Sequence, residues 1–78
     1  MVRRVFFYKD YFWEFYYRQS DKVRARINWT LGLIRELPMV PETYLKHVSG
    51  TDLYEIRVVS GTNIFRIFCF FDEDKLCQ

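Results

Sequence analysis

Two arginines are the residues best suited to chemistry, because each lies inside an otherwise apolar run of strand-forming residues. Arg57 follows Leu-Tyr-Glu-Ile and precedes Val-Val, and Arg66 lies within Ile-Phe-Arg-Ile-Phe-Cys-Phe-Phe. A guanidinium stays charged at any physiological pH, and its planar fork matches the oxygens of a phosphate. It cannot easily act as a base, but it can bind an anion and stabilise charge that develops on it. The two arginines are therefore candidates for action on a phosphate-containing substrate.

The two runs predict a β-hairpin that would place both arginines on one surface. The linker Ser-Gly-Thr-Asn between the runs is typical of a hairpin turn. Because side chains alternate between the faces of a strand, each strand has an apolar face and a face that carries one arginine. If the apolar faces coincide, Arg57 and Arg66 project from the same opposite surface. The apolar faces are formed by Tyr54, Ile56 and Val58 in the first run and by Phe65, Ile67, Cys69 and Phe71 in the second.

Structural roles compete with the chemical ones. Glu55 is the obvious salt-bridge partner of Arg57, so the arginines could simply stabilise the sheet. A lone His47, with no cluster of acidic residues or cysteines at ligand spacing, predicts a hydrogen-bonded loop histidine. Two cysteines, Cys69 and Cys77, make neither a disulfide framework nor a metal cluster. We expect no metal and no cofactor.

The elements that must position the arginines follow the order β-α-α-β-β. The sequence predicts a first strand over 2–8, a short aromatic helix from Asp10 to about Gln19, a longer helix capped by Ser20 or Asp21 and ended by Pro38, a connecting segment over 41–52, and the hairpin. This order is typical of an α+β fold, a small antiparallel sheet with two N-terminal helices packed on one face. The other face, with the arginines, Phe68 and Phe70, would have no element to cover it.

Length and composition limit the function classes. Seventy-eight residues form one domain, 1–78, and half of them are hydrophobic. The net charge is +2, and three acidic residues are clustered at 72–74, so the rest of the chain is more basic, as suits an anionic partner. No apolar run approaches the roughly 20 residues of a membrane span, and no secretory signal is recognisable. We expect a cytoplasmic protein that does not bind membranes.

The order of these segments resembles the phage-derived HigB-like branch of the RelE/ParE toxin superfamily. The similarity covers nearly the whole chain, and its most specific pieces are Leu-Tyr-Glu-Ile-Arg over 53–57 and Arg-Ile-Phe-Cys-Phe-Phe over 66–71. The resemblance implies the toxin of a type II toxin–antitoxin module, a metal-independent endoribonuclease that cuts mRNA on the ribosome. It also implies a small HigA-like antitoxin as partner.

The resemblance assigns roles to four positions. Arg57 and Arg66 match basic positions of the family's concave sheet surface and would be catalytic. Lys46, in the matching Leu-Lys-His-Val segment, and Tyr54 would bind RNA. Glu55 departs from the founding RelE enzymes, which have a lysine nearby, although glutamate is usual in the HigB-like branch.

The sequence departs from the family most clearly at its end. The family's final strand and basic C-terminal segment are missing after Gln78, so the chain looks truncated and its activity could be weakened. The missing segment suggests one alternative, a catalytically inactive remnant that only binds antitoxin or self-associates. A second alternative, which shares the fold, is a ParE-like inhibitor of DNA gyrase. The uncovered sheet face also predicts a homodimer.

Overall fold

Residues 2–71 fold into two helices and a four-stranded sheet. The computed structural model describes residues 2–71, and its elements are β1 (Val5–Phe7), α1 (Tyr11–Tyr17), α2 (Asp21–Glu36), β2 (Leu45–His47), β3 (Tyr54–Ser60) and β4 (Asn63–Phe71). The strands lie in the order β1-β4-β3-β2, and every neighbouring pair is antiparallel. The predicted α+β class is therefore confirmed.

The hairpin of β3 and β4 forms the centre of the sheet. Ser60 pairs with Asn63, so Gly61 and Thr62 make a two-residue turn. Gly61 has a φ of 61° at the first turn position, where type II′ turns take glycine because it has no Cβ. This turn fixes the register along the whole hairpin, from Ser60–Asn63 to Tyr54–Cys69.

Helix α2 begins at a side-chain cap and ends against the N-terminal segment. The Ser20 hydroxyl accepts a hydrogen bond from the Val23 amide at 3.3 Å. At the other end, the Arg3 guanidinium donates to the Ile34 carbonyl in the last turn of the helix, and to the carbonyls of Leu37 and Pro38, which follow the helix. Asp10 occupies the N-cap position of α1, but its side chain makes no capping hydrogen bond.

The core lies between the helices and one face of the sheet. It joins side chains from both helices to alternate residues of the hairpin, on the hairpin face that the alternation predicted: Phe12, Ile27, Leu31, Ile34, Ile56, Val58, Ile67 and Cys69. Burial in this apolar layer raises the pKa of the Cys69 thiol from 9.0 to about 12. No helix within residues 2–71 is long and apolar enough to cross a membrane.

Two elements differ from the prediction. The first strand is confined to Val5–Phe7, because the amides of Val2 and Arg3 bond to the Arg35 carbonyl at the end of α2. The strand lies beside β4 at an edge of the sheet. The segment predicted as a connection contains the edge strand β2. Three residues are too few to show alternation, so this strand had no sequence signal. The turn predicted at 72–74 and the strand predicted after it lie outside the described residues.

Candidate functional site

Arg57 and Arg66 face each other across the hairpin on the surface opposite the helices. They are direct partners in the register of β3 and β4, so the prediction that they share a face is confirmed. The Arg57 amide donates to the Tyr44 carbonyl at 2.8 Å, away from β4. The two arginines therefore form a non-hydrogen-bonded pair, the type that brings side chains closest. We call this uncovered surface the arginine face; Lys46, Glu55, Arg57, Arg66 and Phe68 lie on it.

Glu55 holds the two cations together. Like charges placed directly opposite repel each other, so an arginine pair needs a counter-charge. The Glu55 carboxylate accepts a hydrogen bond from Arg57 Nε at 2.8 Å, and the same oxygen lies 3.8 Å from Arg66 Nε. The predicted salt bridge is thus present and extends to a second arginine. Because the contact of Arg57 uses its Nε, it is compatible with anion binding by the other donors of the guanidinium fork.

Exposure differs among the three charged groups in a way that suits binding. The Glu55 side chain is 17% exposed, whereas Arg57 is 32% and Arg66 57% exposed. The counter-charge is therefore the deepest of the three, and the cations lie above it towards solvent. An incoming anion would meet the guanidinium groups before the carboxylate.

Lys46 adds a third cation to the same surface. It pairs with Glu55 in the register of β2 and β3, so it lies on the arginine face as well. A shallow cleft of about 260 Å³ runs from Lys46 and the residues after it to Glu55 and Arg57. The structure thus brings together three of the four predicted site residues.

Tyr54 lies on the other face of the sheet. It pairs with His47 and Cys69, and its ring centroid is 4.7 Å from that of Phe71 and 5.0 Å from that of His47. The predicted hydrogen bond of His47 exists, between its Nε2 and the Thr51 carbonyl at 2.6 Å, although His47 lies in β2 rather than in a loop. Tyr54 is thus directed away from the arginine pair, whereas His47 lines the shallow cleft together with Glu55 and Arg57. The arginine face can bind an anion and stabilise negative charge, and the Nε2 of the His47 that borders it is hydrogen-bonded to the Thr51 carbonyl.

A pocket beside Arg66 was not predicted. It has a volume of about 190 Å³ and opens where β1 ends along β4. Alternation assigned residues to faces but could not show that β1 is the neighbour of β4, which is what brings α1 to this edge. The pocket is lined by Arg66, Ile67 and five aromatic residues, Tyr8, Tyr11, Phe12, Phe15 and Phe68.

A metal site was not found in the described part of the chain. Among residues 2–71, no group of three or more His, Cys, Asp or Glu side chains is arranged to hold an ion. The charged groups that the structure gathers are the three cations and one carboxylate of the arginine face.

Comparison with known proteins gives one family. A family model described as phage-derived protein Gp49-like (DUF891) matches residues 14–77. The match includes α2 and the strands β2 to β4, and therefore the whole arginine pair and its counter-charge. Comparisons with curated proteins and with solved structures gave no match. The phage-derived part of the resemblance is supported, whereas membership in the RelE/ParE superfamily stays a prediction.

Proposed function

This chain belongs to the phage-derived Gp49-like protein family, and from that premise we propose that it is the toxin of a type II toxin–antitoxin module, an endoribonuclease that cuts mRNA on the ribosome. The observation that carries the proposal is the arginine pair. Arg57 and Arg66 lie side by side on a sheet surface that no element within residues 2–71 covers. Two guanidinium groups in that position suit the phosphates of a polyanionic strand.

The proposed mechanism is electrostatic and independent of metal. In the cleavage, the ribose 2′-oxygen would bond to the scissile phosphorus while the bond from phosphorus to the 5′-oxygen breaks. Water would take the 2′ proton and supply a proton to the leaving oxygen, and a guanidinium fork bound to the phosphate would stabilise the additional negative charge of the transition state. Glu55, hydrogen-bonded to Arg57 at 2.8 Å, has a positioning role: it holds the arginines close together despite their repulsion. Lys46, further along the same face, would bind a neighbouring phosphate of the RNA. The ribosome and its mRNA would thus be the partners, in the cytoplasm.

A second candidate function is RNA or antitoxin binding without cleavage. Tyr54 and His47 favour it, because Tyr54 lies on the face opposite the arginines and the His47 Nε2 is already bonded to the Thr51 carbonyl at 2.6 Å. Side chains that accept and donate a proton accelerate such a cleavage reaction by about 10²- to 10⁴-fold. A face that supplies charge stabilisation alone would bind RNA and slow translation without cutting the message.

Expression in a sensitive bacterium tests the proposal. We expect the wild-type chain to arrest growth and the Arg66→Ala variant to relieve the arrest. Lys22→Ala is the matched control, because it removes one positive charge from the exposed surface of α2, on the other side of the sheet. Mapping of mRNA ends in the arrested cells then separates the two candidates: new ends within translated codons indicate cleavage. Normal growth with folded wild-type chain present would contradict the toxin and would leave antitoxin binding as the function.

Two protein partners belong to the proposal. A small HigA-like antitoxin would neutralise the toxin, and co-expression of the adjacent open reading frame should restore growth. The second partner is another copy of the chain, in a homodimer formed through the open sheet. Phe68 is 43% exposed on the arginine face, and apolar surface of this kind favours burial against a partner. Sedimentation at micromolar concentrations should show a dimer, and a monomer at all concentrations would refute that part.

A further inference from the structure

We propose that the aromatic pocket beside Arg66 is a nucleobase subsite, which takes one base of the single-stranded RNA whose phosphate Arg66 binds. This inference rests on the proposed function, because it needs RNA on the arginine face. It adds a contact to the bases, whereas the arginine pair contacts the backbone.

The pocket has the chemistry that stacking requires. Five of its seven lining residues are aromatic, and none is acidic. Stacking on aromatic rings is the general way in which proteins hold the unpaired bases of single strands, and cations beside the rings follow the phosphates. Tyr8 and Tyr11 are 40% and 63% exposed, so their rings are accessible.

The backbone explains how these rings come together. Lys9 has a φ of 58°, a conformation uncommon for a residue with a side chain, and it turns the chain sharply between β1 and α1. The turn places Tyr8 and Tyr11 with their ring centroids 6.4 Å apart and their planes inclined by 32°. The two rings therefore lie close together, and both line the pocket with Phe68.

The edge of β4 adds polar groups at the pocket. The Arg57 amide points away from β4, so its partner Arg66 directs its own amide and carbonyl away from β3. On that side, the pairing with β1 ends at Cys69, and the last bond runs from the Tyr8 amide to the Phe68 carbonyl. The backbone of Arg66 thus faces the uncovered edge, where it can pair with the polar edge of a base.

Volume limits the ligand to one ring system. The pocket holds about 190 Å³, below the roughly 300–1,000 Å³ of pockets that enclose drug-sized ligands. Arg66 lines the pocket and also belongs to the arginine pair, so one nucleotide can contact both with its base and its phosphate. A protein side chain could also fill an apolar pocket, but Arg66 and the adjacent cations favour a ligand that carries negative charge.

Binding of a short RNA to the 78-residue chain tests the subsite. The probe is a fluorescein-labelled single-stranded RNA hexamer, 2′-O-methylated so that it cannot be cut, and its anisotropy gives the dissociation constant. We expect Tyr11→Ala to weaken binding by about 5- to 150-fold, the cost of one lost stacking contact. Tyr11→Phe keeps the ring and should bind nearly as the wild type does. Tyr17→Ala is the matched control, because Tyr17 is a tyrosine of the same helix, 69% exposed and outside the pocket.

Hexamers with one abasic position provide the second measurement. One of these hexamers should bind the wild-type chain more weakly than the intact hexamer does, by the same factor as the Tyr11→Ala substitution causes. Tyr11→Ala should then cause no further loss of affinity for that abasic hexamer. If Arg66→Ala weakens binding but Tyr11→Ala and all abasic hexamers leave it unchanged, the subsite is wrong and the arginine face stands. If Arg66→Ala has no effect on hexamer binding, or the wild-type chain does not bind the hexamer, the subsite is overturned, whereas the proposed function is decided separately by the growth assay. Loss of antitoxin capture by Tyr11→Ala with RNA binding unchanged would assign the pocket to a protein instead, and would overturn the subsite.

Discussion

Replacement of Glu55 by glutamine separates the structural role of the arginine pair from its proposed role in binding. The substitution keeps the size of the side chain and removes the charge that lies 2.8 Å from Arg57 and 3.8 Å from Arg66. It therefore leaves two cations opposite each other in the closest type of strand pair. We expect the variant to be less stable but to bind RNA more tightly.

The loss of stability follows from burial. Opposite charges 4 Å apart attract by about 4 kcal/mol at the effective dielectric constant of about 20 found near protein surfaces. Desolvation of the carboxylate, which is 17% exposed, cancels most of this. A net value of about 1–2 kcal/mol remains for the hydrogen-bonded Arg57, and at most about 0.5 kcal/mol for the more exposed Arg66. Glu55→Gln should thus lower the free energy of unfolding by about 1–2 kcal/mol and the Tm by about 4–16 °C.

The gain in RNA affinity follows from the same charge. A bound phosphate on the arginine face would be repelled by the Glu55 carboxylate, and removal of that repulsion should strengthen binding about three- to tenfold at low salt. Urea unfolding and fluorescence anisotropy measure the two effects, and Glu14→Gln on α1 is the control with the same change in charge. Lower stability with unchanged RNA affinity would refute the reasoning, because it would leave the arginine pair a purely structural device.

Three further substitutions test the fold that supports the site. Arg3→Ala removes the donors for three carbonyls at the end of α2, and because these contacts are partly exposed it should lower the free energy of unfolding in urea by about 1–2 kcal/mol. Arg3→Lys should recover part of the lost stability. An unchanged stability of Arg3→Ala would show that water replaces the guanidinium. Gly61→Val puts a β-branched residue at a φ of 61° and should cost at least about 1–2 kcal/mol, whereas an equal stability would mean that the turn has another form. Burial raises the pKa of the Cys69 thiol from 9.0 to about 12, so this thiol ionises in the unfolded chain at a lower pH than in the folded chain. The free energy of unfolding is therefore unaffected by this group below pH 9, and above pH 9 it falls by up to about 1.4 kcal/mol per pH unit. Cys69→Ala should lack this decline between pH 9 and 12, and identical pH profiles for the two proteins would show that the thiol does not ionise on unfolding.

The hairpin and its arginine pair could be predicted because the information is local. The spacing between the two runs determines the turn, the turn determines the register, and the register places Arg57 opposite Arg66. The apolar stripe of α2, formed by Ile27, Leu31 and Ile34 at helical spacing, is local in the same sense. Each of these conclusions needs only the period of a helix or a strand.

The edges of the sheet could not be predicted, because they depend on contacts between distant segments. The three residues of β2 are too short for a pattern, although they carry Lys46 to the arginine face. The aromatic pocket needs β1 beside β4, which no alternation reveals. Tyr54 was assigned to RNA by resemblance, whereas alternation alone already placed it on the apolar face. The face of Tyr54 was therefore predictable from alternation, whereas its role in RNA binding stays a prediction.

The salt dependence of RNA binding tests most directly whether the two arginines hold phosphates. Each phosphate contact of a single-stranded RNA contributes about 0.7 to the slope of log affinity against log salt concentration. The Arg57→Ala/Arg66→Ala double variant should therefore bind more weakly than the wild type, with a slope shallower by about 1.4. An unchanged slope in a folded double variant would contradict the account, because it would show that the phosphates are bound elsewhere.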